Sequence, residues 1–285
     1  IKAKAFNPIK PRLAIQMNNR DHRKILVVDG RAAMTGGINI ADEYINKEIR
    51  FGHWKDCGCL IEGEAVWSFT FMFLQFWNYD EPKEKKDEYE KFHFDCEKDV
   101  SYEDGYVQPF ADTPTDFENV GEYVHINIIN NASKYVYIMT PYLVIDQEMK
   151  TALTLAAKNG VDVRILVPHI PDKKPVFWIT QSSYLDLIES GVKIYEYTPG
   201  FIHSKCILSD GDLAIIGTIN FDYRSLVHHF ECACLLYKVN CYNDILNDYY
   251  NIISESHLIT KEEARKVNKG RRLIVSVIQF FSPLL

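Results

Sequence analysis

Apolar and polar positions are most clearly ordered in the second half of the chain. The run Tyr135–Met139 is apolar and closes at Thr140-Pro141, which predicts a buried strand. Asp146 stands where a helix N-cap would, ahead of a segment through Lys158 that stops at Asn159-Gly160. Val161–Val167 predicts a strand, Val176–Ser190 a helix ended by Gly191, and Val192–Tyr197 a further strand. Strands alternating with helices predict an α/β layered fold whose strands run largely parallel. Phe230–Tyr237 then predicts a strand, and Asn243–Ser254 and Lys261–Phe281 predict helices. Leu273, Ile274, Val277, Ile278 and Phe281 follow helical spacing, so the last helix should turn one face to the core.

The first half is less regular. Residues 1–20 contain Pro8 and Pro11 and show no period beyond a short strand expected at Leu13–Met17. Ile40–Asn46 predicts a turn into a short helix carrying Asp42, Glu43 and Tyr44. His53–Glu62 has period two, with Asp56, Gly58 and Leu60 on one face and Cys57, Cys59 and Ile61 on the other, and predicts one strand. Ala65–Trp77 is the longest apolar stretch, but Ser68, Thr70 and Gln75 interrupt it, and it predicts a buried helix rather than one facing a membrane. Asp80–Val100 is dense in charge and predicts a solvated linker or surface helix. The expected division is 1–106, with the charged linker near 80–106, and 107–285.

Two stretches repeat each other: DHRKILVVDGRAAMTGGIN from Asp21 to Asn39, and FIHSKCILSDGDLAIIGTINFDYRS from Phe201 to Ser225. His22 matches His203, Lys24 matches Lys205, Asp29 matches Asp210, Gly36 matches Gly217 and Asn39 matches Asn220, each pair 181 residues apart. Gly37 and Thr218 occupy the next matched position. A single copy would be a weak signal; two in strict register mark a duplicated half-site. Each copy reads as strand, turn and strand, with Asp-Gly between apolar runs as the hairpin signal. Residues two apart on a strand share a face, so His22 and Lys24 point the same way, as do His203 and Lys205. Asp29 and Asp210 have the other parity and fall in the turn, a structural place.

A face bearing His and Lys, joined by an Asn from the next loop, suits an oxyanion that also needs a nucleophile or a proton. Lysine is a compact cation for phosphate, asparagine offers neutral donors, and histidine can attack or carry a proton near neutral pH. Two half-sites place two imidazoles around one phosphorus, where one attacks while the other protonates the leaving alcohol. Two lysines already offset the charge of a diester, so no metal or other cofactor is called for.

These residues resemble the two HKD motifs of the phospholipase D superfamily. The flanking text, Thr140-Pro141-Tyr142, GFIHSK, GTINFDYRS with Phe230-Glu231, and the terminal Ser282-Pro283-Leu284-Leu285, is similar to bacterial cardiolipin synthases of that type. The resemblance runs from about Arg20 to the last residue. It implies two pseudo-twofold-related halves, each a mixed, largely parallel sheet flanked by helices. The first half is expected to be incomplete, because only Ile1–Asp21 precede its motif and no initiator Met opens the chain.

The resemblance also implies transfer of a phosphatidyl group through a phosphohistidine, condensing two phosphatidylglycerol molecules to cardiolipin and glycerol. It counts His22, Lys24, Asp29, His203, Lys205 and Asp210 as catalytic, with His22 as nucleophile and His203 as acid and base. Asn39, Asn220, Gly37, Thr218 and Ser225 would support the phosphate, and Thr140 and Tyr142 would line the substrate pocket at a strand's carboxyl end. Asp56 and Glu231 are the expected partners of the histidines, in crossed fashion: His22 with Glu231 and His203 with Asp56. The partners implied are phosphatidylglycerol and an anionic membrane surface. The implied location is the bacterial cell membrane, through an anchor outside this chain. A hydrolase releasing phosphatidic acid would use the same motifs with water as acceptor. A degenerate scaffold would have lost a motif residue, and both copies are intact.

Composition narrows these classes. A net charge of −7 argues against a nucleic-acid partner, although Lys2, Lys4, Lys10, Arg12, Arg20, Arg23 and Lys24 form a basic opening that could face anionic lipid, where such a scatter is more often a solvated face. Cysteine is odd in number, at seven, and reduced thiols are expected. Asp56-Cys57-Gly58-Cys59 and Glu231-Cys232-Ala233-Cys234 form a second repeated element. Cys-x-Cys is not the usual zinc spacing, so these thiols should be small core side chains.

Overall fold

The computed structural model describes residues 1–8, 19–79, 81–82, 88–94, 105–266 and 275. In the first half, β1 (Leu26–Val28) and β2 (Ala32–Gly36) form the motif hairpin; β3 (His53–Lys55), β4 (Gly58–Glu62) and α1 (Ala65–Trp77) follow. Then come β5 (Tyr106–Asp112), α2 (Val120–Asn131), β6 (Tyr135–Met139), β7 (Leu143–Val144), α3 (Gln147–Lys158), β8 (Asp162–Pro168), α4 (Lys174–Ser182), α5 (Tyr184–Glu189) and β9 (Lys193–Tyr197). The chain closes with β10 (Gly200–Ile202), β11 (Cys206–Ser209), β12 (Leu213–Gly217), β13 (Phe221–Asp222), β14 (Glu231–Tyr237), α6 (Tyr242–Ser254), β15 (Ser256–Leu258) and α7 (Lys261–Arg265).

An eight-stranded sheet in the order β15-β9-β8-β6-β11-β12-β14-β5 forms the body of the second half. It is mixed, and its parallel pairs are confined to β6-β8 and β8-β9. The other neighbours are antiparallel, and among them the motif hairpin β11-β12 is the pair closed by a tight turn. The strand–helix alternation therefore accounts for β6, β8 and β9, and the hairpin for β11 and β12. The first half carries a three-stranded antiparallel sheet, β1-β2-β4.

Alternation along β11, β12 and β14 explains how the halves meet. Ile207, Ile215 and Ala233 face α2, α3 and α5 in one core. Cys206, Leu208, Ala214, Ile216, Cys232 and Cys234 face the opposite way and pack with Ala33, Ile61, Val66, Phe69 and Met72 of the first half. Cys57 and Cys59 pack against the same core, so the Cys-x-Cys pairs act as small apolar groups. On the outer face of the first sheet, Leu26, Met34 and Leu60 share one cross-strand row and are exposed. Their counterparts Ile207 and Ile215 are buried.

Asp146 caps α3 by accepting a bond from the Met149 N–H at 2.8 Å, as its position predicts. Three expected elements differ. The strand His53–Glu62 is broken at Asp56-Cys57, because β3 pairs in parallel with β10 while β4 pairs with β2. The helix Val176–Ser190 is two helices that meet at Ser183. The last helix is described only over α7, with buried Val275 beyond it; the rest of Lys261–Phe281 and the terminal Ser282–Leu285 lie outside the described residues. The strand expected at Leu13–Met17 and most of the charged 80–106 segment also lie outside them. Among the described residues no helix is long and apolar enough to cross a membrane.

Candidate active site

The chain ahead of each motif histidine crosses to the other half. Asp21 bridges in parallel to Phe230, and β10 runs parallel to β3. The backbone N–H of His22 donates to the Phe230 carbonyl at 3.0 Å, and that of His203 donates to the Lys55 carbonyl at 2.7 Å. Phe230 and Lys55 each precede a carboxylate. His22 Nδ1 lies 2.8 Å from Glu231 Oε1, and His203 Nδ1 lies 2.8 Å from Asp56 Oδ2. This is the crossed pairing. Donation of each Nδ1–H to a carboxylate fixes the tautomer that leaves Nε2 with its lone pair.

The two clamps agree in geometry and differ in charge. Burial opposes ionisation of Glu231, but the His22 charge and donors from His22 and Ser225 outweigh it and hold the carboxyl at about 2. The Ser225 and Thr218 hydroxyls both donate to this carboxylate. Asp56 is pushed up to about 6 by burial, against the pull of Lys205 and the Cys57 N–H. Part of the difference traces to one matched position. At Thr218 a hydroxyl reaches the longer glutamate. At Gly37 a Cβ would stand 2.9 Å from Asp56 Cγ and 2.7 Å from the His203 carbonyl oxygen, so the shorter carboxylate occupies the space of a side chain.

Burial lowers His22 below the usual imidazole range, against the raising effect of Glu231. It lowers His203 well below that range, reinforced by Lys205, Lys24 and His22. Each lysine folds back on its own motif, with Nζ 2.6 Å from the His22 or His203 carbonyl oxygen. Burial brings Lys205 down to about 7 and also lowers Lys24. Clustered cations with depressed proton affinity recover it when an anion arrives among them.

Other predicted residues divide by place. Asn220 is buried, its backbone N–H donates to Ser225 Oγ at 3.1 Å, and its Oδ1 meets no partner among the described residues. Asn39 is exposed and donates to the Tyr44 hydroxyl at 2.6 Å; the Tyr44 ring stands edge-on to His203 with centroids 5.2 Å apart. Tyr142 donates to Asp172 at 2.6 Å. Thr140 is wholly buried, donates to the Tyr142 carbonyl at 2.9 Å and accepts from the Phe221 N–H at 3.1 Å. It joins β7 to β13 and is not a lining residue. Asp29 and Asp210 both have left-handed backbone, φ 52° and 55°, at their turns. The Asp210 carboxylate accepts bonds from Ser133, Lys134 and Tyr135 at 2.7–2.9 Å, which ties the hairpin to the start of β6.

His229, which the repeat does not single out, stands over the site, its ring 5.3 Å from that of His22. Trp54 went unremarked and stands 5.2 Å from the His203 ring. The signal was available: each lies two residues ahead of its carboxylate. Among the described residues His22, His229 and Glu231 are the one group with metal-ligand spacing, and the cysteines form none. Glu231 already takes hydroxyl and imidazole donors there, which favours a hydrogen-bonded carboxylate over a metal ligand.

Residues 125–253 match the family model described as "Cardiolipin synthase, PLD-like domain". The chain is 48% identical over 287 residues to an uncharacterized protein of Streptococcus mutans, covering 100% of this chain and 61% of that protein. It is 40% identical over 285 residues to a cardiolipin synthase of Geobacillus, covering 98% of this chain and 55% of the relative. It thus spans little more than half the length of the curated relatives it matches. Among solved structures, the phosphatidylserine synthase of Haemophilus influenzae superposes with a TM-score of 0.64 over 93% of this chain and 69% of that one, at 15% identity. That likeness establishes a shared fold.

Proposed function

We propose, for a chain similar to bacterial cardiolipin synthases over nearly its whole length, phosphatidyl transfer between two phosphatidylglycerol molecules, by way of a phosphohistidine. The observation that carries this reading is the pair of crossed clamps, each presenting an imidazole whose Nδ1 is held by a carboxylate. In the first step His22 Nε2 attacks phosphorus, the bond from phosphorus to the headgroup glycerol oxygen breaks, and His203 Nε2–H gives that oxygen its proton. In the second, His203 takes the proton from the glycerol hydroxyl of another phosphatidylglycerol. That oxygen attacks phosphorus, the bond to His22 breaks, and cardiolipin leaves.

Glu231 supports the assignment of His22 as nucleophile. Its ionised carboxylate offsets the positive charge of a phosphorylated imidazole. Lys24, Lys205 and Asn220 face the phosphoryl oxygens, and the arriving diester restores the protons of Lys205 and His203. Asp29 and Asp210 are left to the turns. An anionic bilayer is the proposed source of substrate: Lys2, Lys4 and Arg23 ring one surface cleft with Phe73 and Trp77.

The test is mass spectrometry of lipids after incubation with phosphatidylglycerol vesicles, with His22→Ala and His203→Ala alongside. Cardiolipin and glycerol, lost in both variants, is the expected result. Phosphatidic acid without cardiolipin would replace transfer by hydrolysis, with water reaching the quarter-exposed His22.

A further inference from the structure

The two clamps share a fourth contact that the motif does not contain. Two residues before Glu231 stands His229, and two residues before Asp56 stands Trp54. The His229 ring packs on His22 with centroids 5.3 Å apart at 42°, and the Trp54 ring packs on His203 at 5.2 Å and 44°. The likeness extends to the ring nitrogens. His229 Nδ1 and Trp54 Nε1 are both buried, and neither has a hydrogen-bond partner among the described residues. His229 Nδ1 lies 3.6 Å from Glu231 Oε1, just beyond bonding range. Two non-homologous side chains therefore fill equivalent places, each with an aromatic face on a motif imidazole.

We propose that His229 and Trp54 are paired positioning residues, each holding a motif histidine by ring contact and closing its N–H onto the clamp carboxylate when charge develops there. A buried donor without a partner costs free energy, so it is expected to stand where an acceptor becomes available. Hydrogen bonds in active sites are often long before substrate binds and tighten in the complex. His22 would become cationic on phosphorylation and draw on Glu231. A donor arriving from the other side keeps that carboxylate ionised and in line. Indole is a permanent donor. Imidazole donates from Nδ1 in one tautomer or when protonated. The proposal rests on the transfer reading for its rate effect, and on geometry alone for the effect on His22.

The test compares His229→Phe, which keeps a ring and removes the donor, with His229→Asn, whose amide nitrogen falls near the position of Nδ1. Turnover of phosphatidylglycerol by His229→Phe should fall by roughly tenfold with KM unchanged, and His229→Asn should recover most of it. Independently of activity, the His22 titration is followed by NMR with ¹⁵N-labelled histidine. A donor that closes onto Glu231 only when His22 is cationic stabilises that cation, so His22 should titrate lower in His229→Phe by roughly half to one unit. Glu231, Lys24 and Lys205, the charged groups around His22, are the same in every variant. Trp54→Phe should shift His203 and leave His22 in place.

A folded His229→Phe with unchanged His22 titration would overturn the proposal, as would equal rate losses in the Phe and Asn variants. If wild type makes no lipid product, the transfer reading fails and the NMR comparison still decides the role of His229.

Discussion

Replacing Gly37 by alanine puts one methyl group where Asp56 now lies. The added carbon would stand 2.9 Å from Asp56 Cγ and 2.7 Å from the His203 carbonyl oxygen, and closer still to Asp56 Oδ1. The carboxylate has little freedom to retreat. Its side chain is 4% exposed, and it accepts bonds from His203 Nδ1 and the Cys57 N–H, both at 2.8 Å. The His203 carbonyl is equally constrained, because it accepts the Lys205 Nζ bond at 2.6 Å. Overpacking of this kind costs about 1–3 kcal/mol in stability. Displacement of Asp56 also forfeits a charge-assisted bond worth about 1.5–3 kcal/mol, which corresponds to a rate loss of roughly tenfold to a hundredfold.

The second half indicates how the loss is reversed. Thr218 occupies the matched position beside a glutamate and donates to it. Gly37→Thr alone should be worse than Gly37→Ala, while Gly37→Thr with Asp56→Glu should recover activity beyond the sum of the single effects. The assay is steady-state lipid turnover with thermal melts of each variant. A fully active Gly37→Ala, or a double variant no better than the product of its singles, would refute the reasoning.

Other expectations follow from the same geometry. His203→Ala should still form a phosphoenzyme from a phosphodiester with a nitrophenol leaving group, which needs no proton, whereas His22→Ala should form none; acid-labile, base-stable label on the protein reads this directly. Lys205→Met should abolish turnover, and it removes a buried ammonium whose proton affinity folding depresses. Lys205 titrates at about 7 when folded and at 10.5 when free, so the unfolded chain binds more protons between those values. Wild-type stability should therefore rise with pH across that window and the Met variant should lack the rise, as melts at several pH values would show. Glu231, held at about 2 against an ordinary 4.5, contributes stability that is complete above 4.5 and lost as pH falls toward 2. Glu231→Gln should flatten that acid limb.

Much of this site was legible as text because it is duplicated. The 181-residue offset exposed both histidines, both lysines and both asparagines, and strand parity placed Asp29 and Asp210 in turns. Tertiary choices were less legible. Period two over His53–Glu62 suggested one strand, but the segment must serve two sheets, and it breaks at the carboxylate that pairs with His203. Thr140 looked like a lining residue from its place after a strand, yet its hydroxyl is spent on backbone groups. His229 was hidden because its counterpart is a tryptophan, and identity matching does not align an imidazole with an indole.

The motif leaves the two histidines equivalent, and a two-step transfer requires them to differ. One imidazole must bear a phosphoryl group and a positive charge, while the other sheds and regains a proton. On the proposed roles, the difference is supplied by the carboxylates. Glu231, surrounded by the donors of Ser225 and Thr218, remains ionised through the pH range of the reaction and suits the histidine that becomes cationic. Asp56, beside Gly37 with no hydroxyl to donate, is pushed to about 6 and suits a histidine that exchanges its proton. The residues that break the symmetry are thus Thr218 against Gly37 and Ser225 beside Glu231, each supporting a carboxylate and none belonging to the His-Lys-Asp pattern itself.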